Sequence, residues 1–165
     1  MRKYLLFVLI AGILITSSCL KSGNNSSTTC NYDACQVKAP DSQIVRLETY
    51  LAANSITAQK HCSGMYYTIV DPGAGSSPTS CSDIAINYTG MLTNGNVFDK
   101  TTTPVVYNLL SLITGWKNGL PLIKKGGKIR LYIPPALGYG PNPDANGVIP
   151  GSSILIFDVE LLEFQ

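Results

Sequence analysis

The chain has 165 residues, 45% of them apolar and 13% charged, with 15 Gly, 10 Pro and 5 Cys, a composition that excludes collagen, coiled coil and acidic disordered tails and allows one domain plus a tail. The formal charge of +2 comes from Arg2 and Lys3, and the remaining 10 Lys/Arg balance 10 Asp/Glu. A neutral body with one His excludes a nucleic-acid partner, whose surface requires clustered Lys and Arg.

Arg2 and Lys3 precede an unbroken apolar run over residues 4–15, followed by Thr16, Ser17, Ser18 and Cys19. The run is too short to span a bilayer and matches the apolar region of a signal peptide. Small residues followed at once by Cys resemble the lipobox of bacterial lipoproteins, in which the Cys is diacylated and becomes the new N-terminus; Thr16 stands where that motif usually has Leu. Residues 1–18 are therefore expected to be a signal peptide and Cys19 a lipidation site that tethers the protein to a membrane. The alternatives are an ordinary secretory signal with an incidental Cys, or an uncleaved anchor. Leu20 and Lys21 carry no acidic retention signal, which directs the expectation to an outer membrane, facing the periplasm.

Residues 19–39 are expected to be a lipidated polar tether, because the stretch KSGNNSSTT lacks the apolar side chains that would offset chain ordering. Export implies an oxidising compartment. Cys30, Cys35, Cys62 and Cys81 then form an even set with three possible pairings, of which Cys62–Cys81 with Cys30–Cys35 is favoured. Cys62 and Cys81 stand just before two expected strands, and Cys30 and Cys35 lie close together in the tail. Irregular Cys spacings with only His61 nearby do not resemble a zinc ribbon, so no metal site is expected.

Residues 40–64 read as a helix and linker. Asp41 is the expected N-cap, Ile44, Leu47 and Leu51 follow at spacings of three and four, and Asn54 ends the pattern. Strand character covers residues 65–70 and stops at Asp71-Pro72-Gly73. Gly73-Ala74-Gly75 is a turn rather than a phosphate cradle, since Ser76-Ser77-Pro78 follows instead of a helix. Ile84, Ile86 and Tyr88 alternate with Ala85, Asn87 and Thr89, the period of a half-buried strand. Asn94-Gly95 supplies left-handed residues for a tight hairpin returning through Val97 and Phe98.

A short strand over residues 105–109 follows Pro104, and residues 115–120 fit only a short helix capped by Thr114. Gly126-Gly127 turns into a strand over residues 128–133 with one wet face, and the nearby Lys124, Lys125, Lys128 and Arg130 keep that turn solvated, with no ligand assigned. Residues 136–150 form a Gly/Pro/Asn-rich loop, long enough to suggest a functional role. The closing strand carries Leu155, Phe157, Val159 and Leu161 on one face. Five or six strands and one short helix make an antiparallel α+β arrangement over residues 65–165.

Read in order, Tyr88-Thr89-Gly90, Gly95-Asn96-Val97-Phe98-Asp99, Gly115-Trp116-Lys117-Asn118-Gly119-Leu120, Gly127 through Pro134, Leu137-Gly138-Tyr139-Gly140 and Val148-Ile149-Pro150 through Leu161 resemble the FKBP-type peptidyl-prolyl isomerases. The resemblance covers roughly residues 65 to 165. It implies a twisted antiparallel β-sheet wrapped around one short α-helix, preceded here by an N-terminal helix, as in membrane-anchored members. It further implies catalysis of cis–trans rotation about Xaa-Pro bonds, with proline-containing polypeptides as partners and no cofactor. The alternative is a non-catalytic peptide-binding chaperone or adaptor lipoprotein that uses the same pocket. A monomer is expected, since no long amphipathic helix suggests a dimer arm.

Carried over by position, the resemblance implies that Trp116 floors a prolyl pocket walled by Tyr88, Phe98 and Phe157 and joined by Leu112, Ile113 and Ile149. Tyr139 would donate its hydroxyl to a substrate carbonyl, and the Ile113 backbone N–H would bind another. Asp99 would set a carboxylate at the pocket edge. Val105 stands where the family has an aromatic residue, leaving that wall smaller, and Ser111 replaces a common Glu. The stretch from Phe98 to Pro104 lacks the family's Arg, so Asp99 is expected to be free or hydrogen-bonded to Tyr88 alone.

Overall fold

The computed structural model describes residues 30–144 and 146–165. The expected signal peptide, Cys19 and the tether as far as residue 29 lie outside the described residues. Helix α1 (Asp41–Ala53) comes first, followed by strands β1 (Gln59–Lys60), β2 (Tyr66–Asp71), β3 (Asp83–Leu92), β4 (Val97–Lys100) and β5 (Val105–Asn108). Helix α2 (Thr114–Gly119) then precedes β6 (Lys128–Ile133) and β7 (Leu155–Phe164). The strands form one seven-stranded sheet in the order β1-β2-β6-β7-β3-β4, with β5 also pairing to β3. Every pairing is antiparallel. No helix of the described residues is long and apolar enough to cross a membrane.

The alternation legible in β3, β6 and β7 decides which face is core. Ile84 and Ile86, Ile129 and Leu131, and Leu155, Phe157, Val159 and Leu161 are buried with Trp116 and Leu120 from α2 and the turn after it. The sheet thus curls around a helix of only six residues, which would not persist alone and depends on this packing. The opposite face is wet only in part. Arg130 Nε and Nη2 donate to the two carboxylate oxygens of Asp158 at 2.5 and 2.6 Å, Lys128 pairs with Glu160 at 3.2 Å, and Lys125 pairs with Glu163. Towards the other end of the strands, Tyr132 and Ile156 are covered by Leu47 and Leu51 of α1. Each of those leucines contributes about 2 kcal/mol by leaving water. The Tyr66 hydroxyl and Lys60 Nζ both donate to Glu48 Oε1, at 2.5 and 2.9 Å, fixing the helix to β1 and β2.

Several local expectations are corrected. Pro40, not Asp41, occupies the N-cap of α1 without a side-chain cap bond, and Asp41 is the first helical residue. Likewise Ile113 occupies the N-cap of α2, leaving Thr114 as its first residue. In the β3–β4 hairpin only Gly95 is left-handed, with φ of +84°. The Gly95 N–H donates to Leu92 O and the Leu92 N–H to Asn96 O, both at 2.9 Å, a three-residue loop closed by a glycine bulge.

The disulfides join Cys30 to Cys81 and Cys35 to Cys62, with Cα separations of 5.7 and 5.5 Å; the expected Cys30–Cys35 and Cys62–Cys81 pairs do not form. The reason lies in the strap before α1. The Cys35 N–H donates to Asp33 Oδ1 at 2.8 Å and the Gln36 N–H to Asp33 O at 3.3 Å, so the chain turns between the two strap cysteines. Each then meets a different cysteine of the body. Residues 30–39 are therefore no tether: Ala39 is buried, and the Tyr32 hydroxyl donates to Asn118 Oδ1 on α2 at 2.7 Å.

Candidate active site

Four aromatic side chains from four elements meet on the concave face of the sheet. Trp116 of α2 lies 4% exposed beneath Tyr88 of β3 and Phe157 of β7, both ring centroids 5.1 Å away and nearly perpendicular to it. Phe98 of β4 meets Phe157 edge-to-face at 5.5 Å. Such edge-to-face contacts are favoured by the ring quadrupoles and fix the rings against one another. Gly90, between Tyr88 and the hairpin, makes room for them. A Cβ built there would lie 2.6 Å from the Phe98 ring and 2.8 Å from that of Phe157.

The rings open onto a cavity of about 230 Å³ lined by Tyr88, Trp116, Phe157, Leu112, Ile113, Asp99, Tyr139 and Tyr107. A neighbouring trough of about 480 Å³ shares Asp99 and Tyr139 and adds Phe98, Ile149, Val148, Asp144 and Asn146. The structure therefore brings together Tyr88, Phe98, Asp99, Leu112, Ile113, Trp116, Tyr139, Ile149 and Phe157. Val105 does not join them: it is half-buried against the core and lines neither cavity. A third depression of about 400 Å³ lies on the outer face, over the Arg130–Asp158 and Lys128–Glu160 pairs. Its charges already neutralise one another.

The polar groups of the aromatic cavity are few. The Tyr88 hydroxyl donates to Asp99 Oδ2 at 2.5 Å, and this is the hydrogen bond that Asp99 makes through its side chain among the described residues. Burial first, then that hydrogen bond and the Asp99 charge, push the Tyr88 phenol well above its ordinary value. Tyr139, half-exposed at the mouth, is raised by burial and then by Asp99, Asp144 and Tyr107. Both phenols thus remain protonated donors throughout the physiological range. Among the described residues neither the Tyr139 hydroxyl nor the Ile113 N–H donates to a protein acceptor, and no Lys or Arg lines the two cavities.

Two features were missed from sequence. Tyr107 lines the aromatic cavity, and the signal for it was strand alternation, which puts it on the same side of β5 as Val105. Asp144 organises the long loop: its Oδ1 accepts the Ile149 N–H at 2.6 Å and its Oδ2 the Asn146 N–H at 3.2 Å. That closure sets Ile149 into the trough. Its signal was the Asp144-x-x-Gly147 spacing of a side-chain-closed turn.

Comparison with known proteins agrees with this geometry. The family model described as FKBP-type peptidyl-prolyl cis-trans isomerase matches residues 75–162. The chain is 46% identical over 104 residues to a probable FKBP-type peptidyl-prolyl cis-trans isomerase of Haemophilus influenzae, covering 61% of this chain and 43% of that protein. It is 44% identical over 108 residues to FkpA of Escherichia coli K12, covering 62% and 38%. The chain thus spans about two fifths of the length of the curated relatives it matches. Among solved structures it resembles a peptidyl-prolyl cis-trans isomerase of Pseudomonas syringae, with TM-score 0.67 and 28% identity over 78% of this chain and 98% of that one. It also resembles E. coli FkpA, with TM-score 0.66 and 35% identity over 76% and 60%.

Proposed function

The chain belongs to the FKBP-type peptidyl-prolyl cis-trans isomerase family, and from that premise we propose that it catalyses rotation about Xaa-Pro bonds in polypeptides that enter its aromatic cavity. The observation that supports this most is the convergence of Tyr88, Trp116 and Phe157 on one cavity, with Phe98 packed on Phe157 and lining the adjoining trough.

The chemistry follows from the amide. Rotation breaks resonance against a barrier of about 18–20 kcal/mol, so an uncatalysed Xaa-Pro bond turns over in tens to hundreds of seconds. Resonance separates charge in the planar ground state, and water stabilises that charge. A cavity that removes the water and fits the twisted amide lowers the barrier with no bond to the protein. In this reading the Trp116 indole carries the prolyl ring, and Tyr88, Phe98, Phe157, Leu112 and Ile149 exclude water around it. The Tyr139 hydroxyl and the Ile113 N–H hold substrate carbonyls, as their lack of protein acceptors suits them to do. Asp99, oriented by Tyr88, places negative charge beside the carbonyl carbon, which is favoured as the amide loses its resonance. Val105 contributes to the wall only through the core beneath it.

The N-terminal sequence extends the proposal. Residues 1–18 direct export and are removed, Cys19 is lipidated, and the domain works as a monomer at a bacterial membrane, facing the periplasm; the oxidising compartment suits the two disulfides. Replacing Cys19 by Ser should move the protein from the membrane to the soluble fraction. For the activity, a protease-coupled assay on Xaa-Pro tetrapeptides should show acceleration by the wild type and a loss of about a hundredfold in Trp116→Leu, the scale expected when substrate positioning fails. A wild-type rate equal to the uncatalysed one would overturn the catalytic reading.

A further inference from the structure

Of the aromatic rings lining the cavity, Tyr107 and Tyr139 stand outside the packed cluster. Tyr88, Phe98, Trp116 and Phe157 pack against one another, whereas Tyr107 is 38% exposed and stacks on no other ring among the described residues. Strand β5 fixes its position: Val105 pairs with Ile86 and Tyr107 with Ile84, so the two side chains share one side of the strand. Val105 stops at the core, and Tyr107 reaches past it to the cavity beside Asp99, Leu112 and Tyr139. After burial and Asp99, Tyr107 also contributes to the raised phenol of Tyr88, through charge and a side-chain hydrogen bond, and through charge to that of Tyr139, so its hydroxyl lies near both.

We propose that Tyr107 is a substrate-contacting wall of the prolyl pocket, supplying the aromatic surface absent at Val105 and setting how tightly peptides with a bulky side chain next to proline are held. This rests on the isomerase reading for the identity of the ligand, though not for the contact itself. An exposed ring at a cavity mouth is apolar surface that a bound side chain covers, and the gain scales with the area covered. A glycine next to proline offers nothing to cover it. Because Tyr107 lies outside the ring cluster and at a surface strand, its replacement leaves the core packing in place.

The chain contains one Trp, and it is Trp116, so indole fluorescence reports on this cavity directly. The test is titration of the full chain with Phe-Pro and Gly-Pro tetrapeptides, reading Kd from Trp116 emission, with turnover measured alongside and thermal unfolding as the control for folding. Tyr107→Ala should raise Kd for the Phe-Pro peptide about tenfold and for the Gly-Pro peptide less than about twofold, and Tyr107→Phe should leave both within about twofold. Unchanged Kd values in Tyr107→Ala, or equal losses for both peptides, would overturn the proposal. A wild type that binds both peptides and turns over neither would overturn the isomerase reading, with the Kd series still deciding Tyr107. A wild type that binds neither peptide would overturn both.

Discussion

Adding one methyl group at Gly90 tests whether the aromatic cluster is as tightly built as its geometry requires. Gly90 is buried in β3, opposite Phe157 on one side and Asp99 on the other. The added carbon would lie 2.6 Å from Phe98 Cε2 and Cζ and 2.8 Å from Phe157 Cε1, against the roughly 3.5–4.0 Å of a carbon contact at rest. Both rings must therefore move by about 1 Å. Phe157 is 3% exposed and backed by Trp116 at 5.1 Å, so it cannot retreat without moving the floor; Phe98, half-buried, swings outward. Overpacking of this kind costs about 1–3 kcal/mol, which for a domain of this size lowers Tm by about 3–10 °C. Activity should fall further than stability, by about ten- to a hundredfold, because a displacement near 1 Å at the reacting site carries such a penalty. Thermal unfolding followed by Trp116 fluorescence gives the first quantity, and a protease-coupled assay well below Tm gives the second. A Gly90→Ala protein with wild-type Tm and wild-type rate would refute the packing argument.

Two further outcomes follow from the strap and from the loop before β2. Non-reducing peptide mapping should recover Cys30 linked to Cys81 and Cys35 linked to Cys62, and the loops of 51 and 27 residues so closed should each contribute about 4 kcal/mol on a chain-entropy estimate. Dithiothreitol should then lower Tm by about 10 °C or more, and an unchanged Tm would contradict it. The pH dependence concerns His61, whose Nδ1 accepts the Ser63 N–H at 3.2 Å while burial lowers its pKa below the ordinary value. The unfolded chain therefore binds the proton more readily, so this contribution to stability is complete above about pH 6.5 and is lost as pH falls below it. Tm of the wild type should drop more steeply between about pH 7.5 and 5.5 than that of His61→Gln; parallel curves would be contrary evidence.

The elements legible in the sequence are those whose pattern is set by burial. The alternation in β3, β6 and β7 and the three–four spacing in α1 survive because one face of each meets a core. Strand β1, two exposed residues, has no pattern to read and exists because Gln59 and Lys60 pair with Tyr67 and Tyr66. The disulfide pairing is not legible because nearness in sequence says nothing of the turn that Asp33 closes around Cys35, which sends the two strap cysteines to different partners. At the site, the residues carried by multi-residue motifs came together, Trp116 and Phe157 among them, while Tyr107 rather than Val105 lines the cavity. A residue-by-residue transfer takes the residue after proline as the wall. In this chain the small side chain there leaves the cavity open to the next residue on the same side of the strand, two positions later.

In the proposed mechanism a water-excluding aromatic cavity turns the prolyl amide without moving a proton. It is tested most directly by NMR exchange between cis and trans forms of an Xaa-Pro peptide at substoichiometric protein, in H2O and in D2O. Exchange should be far faster than the tens to hundreds of seconds of the free peptide, with a solvent isotope effect close to unity. Exchange no faster than that of the free peptide, or a rate roughly halved in D2O as expected for rate-limiting proton transfer, would contradict it.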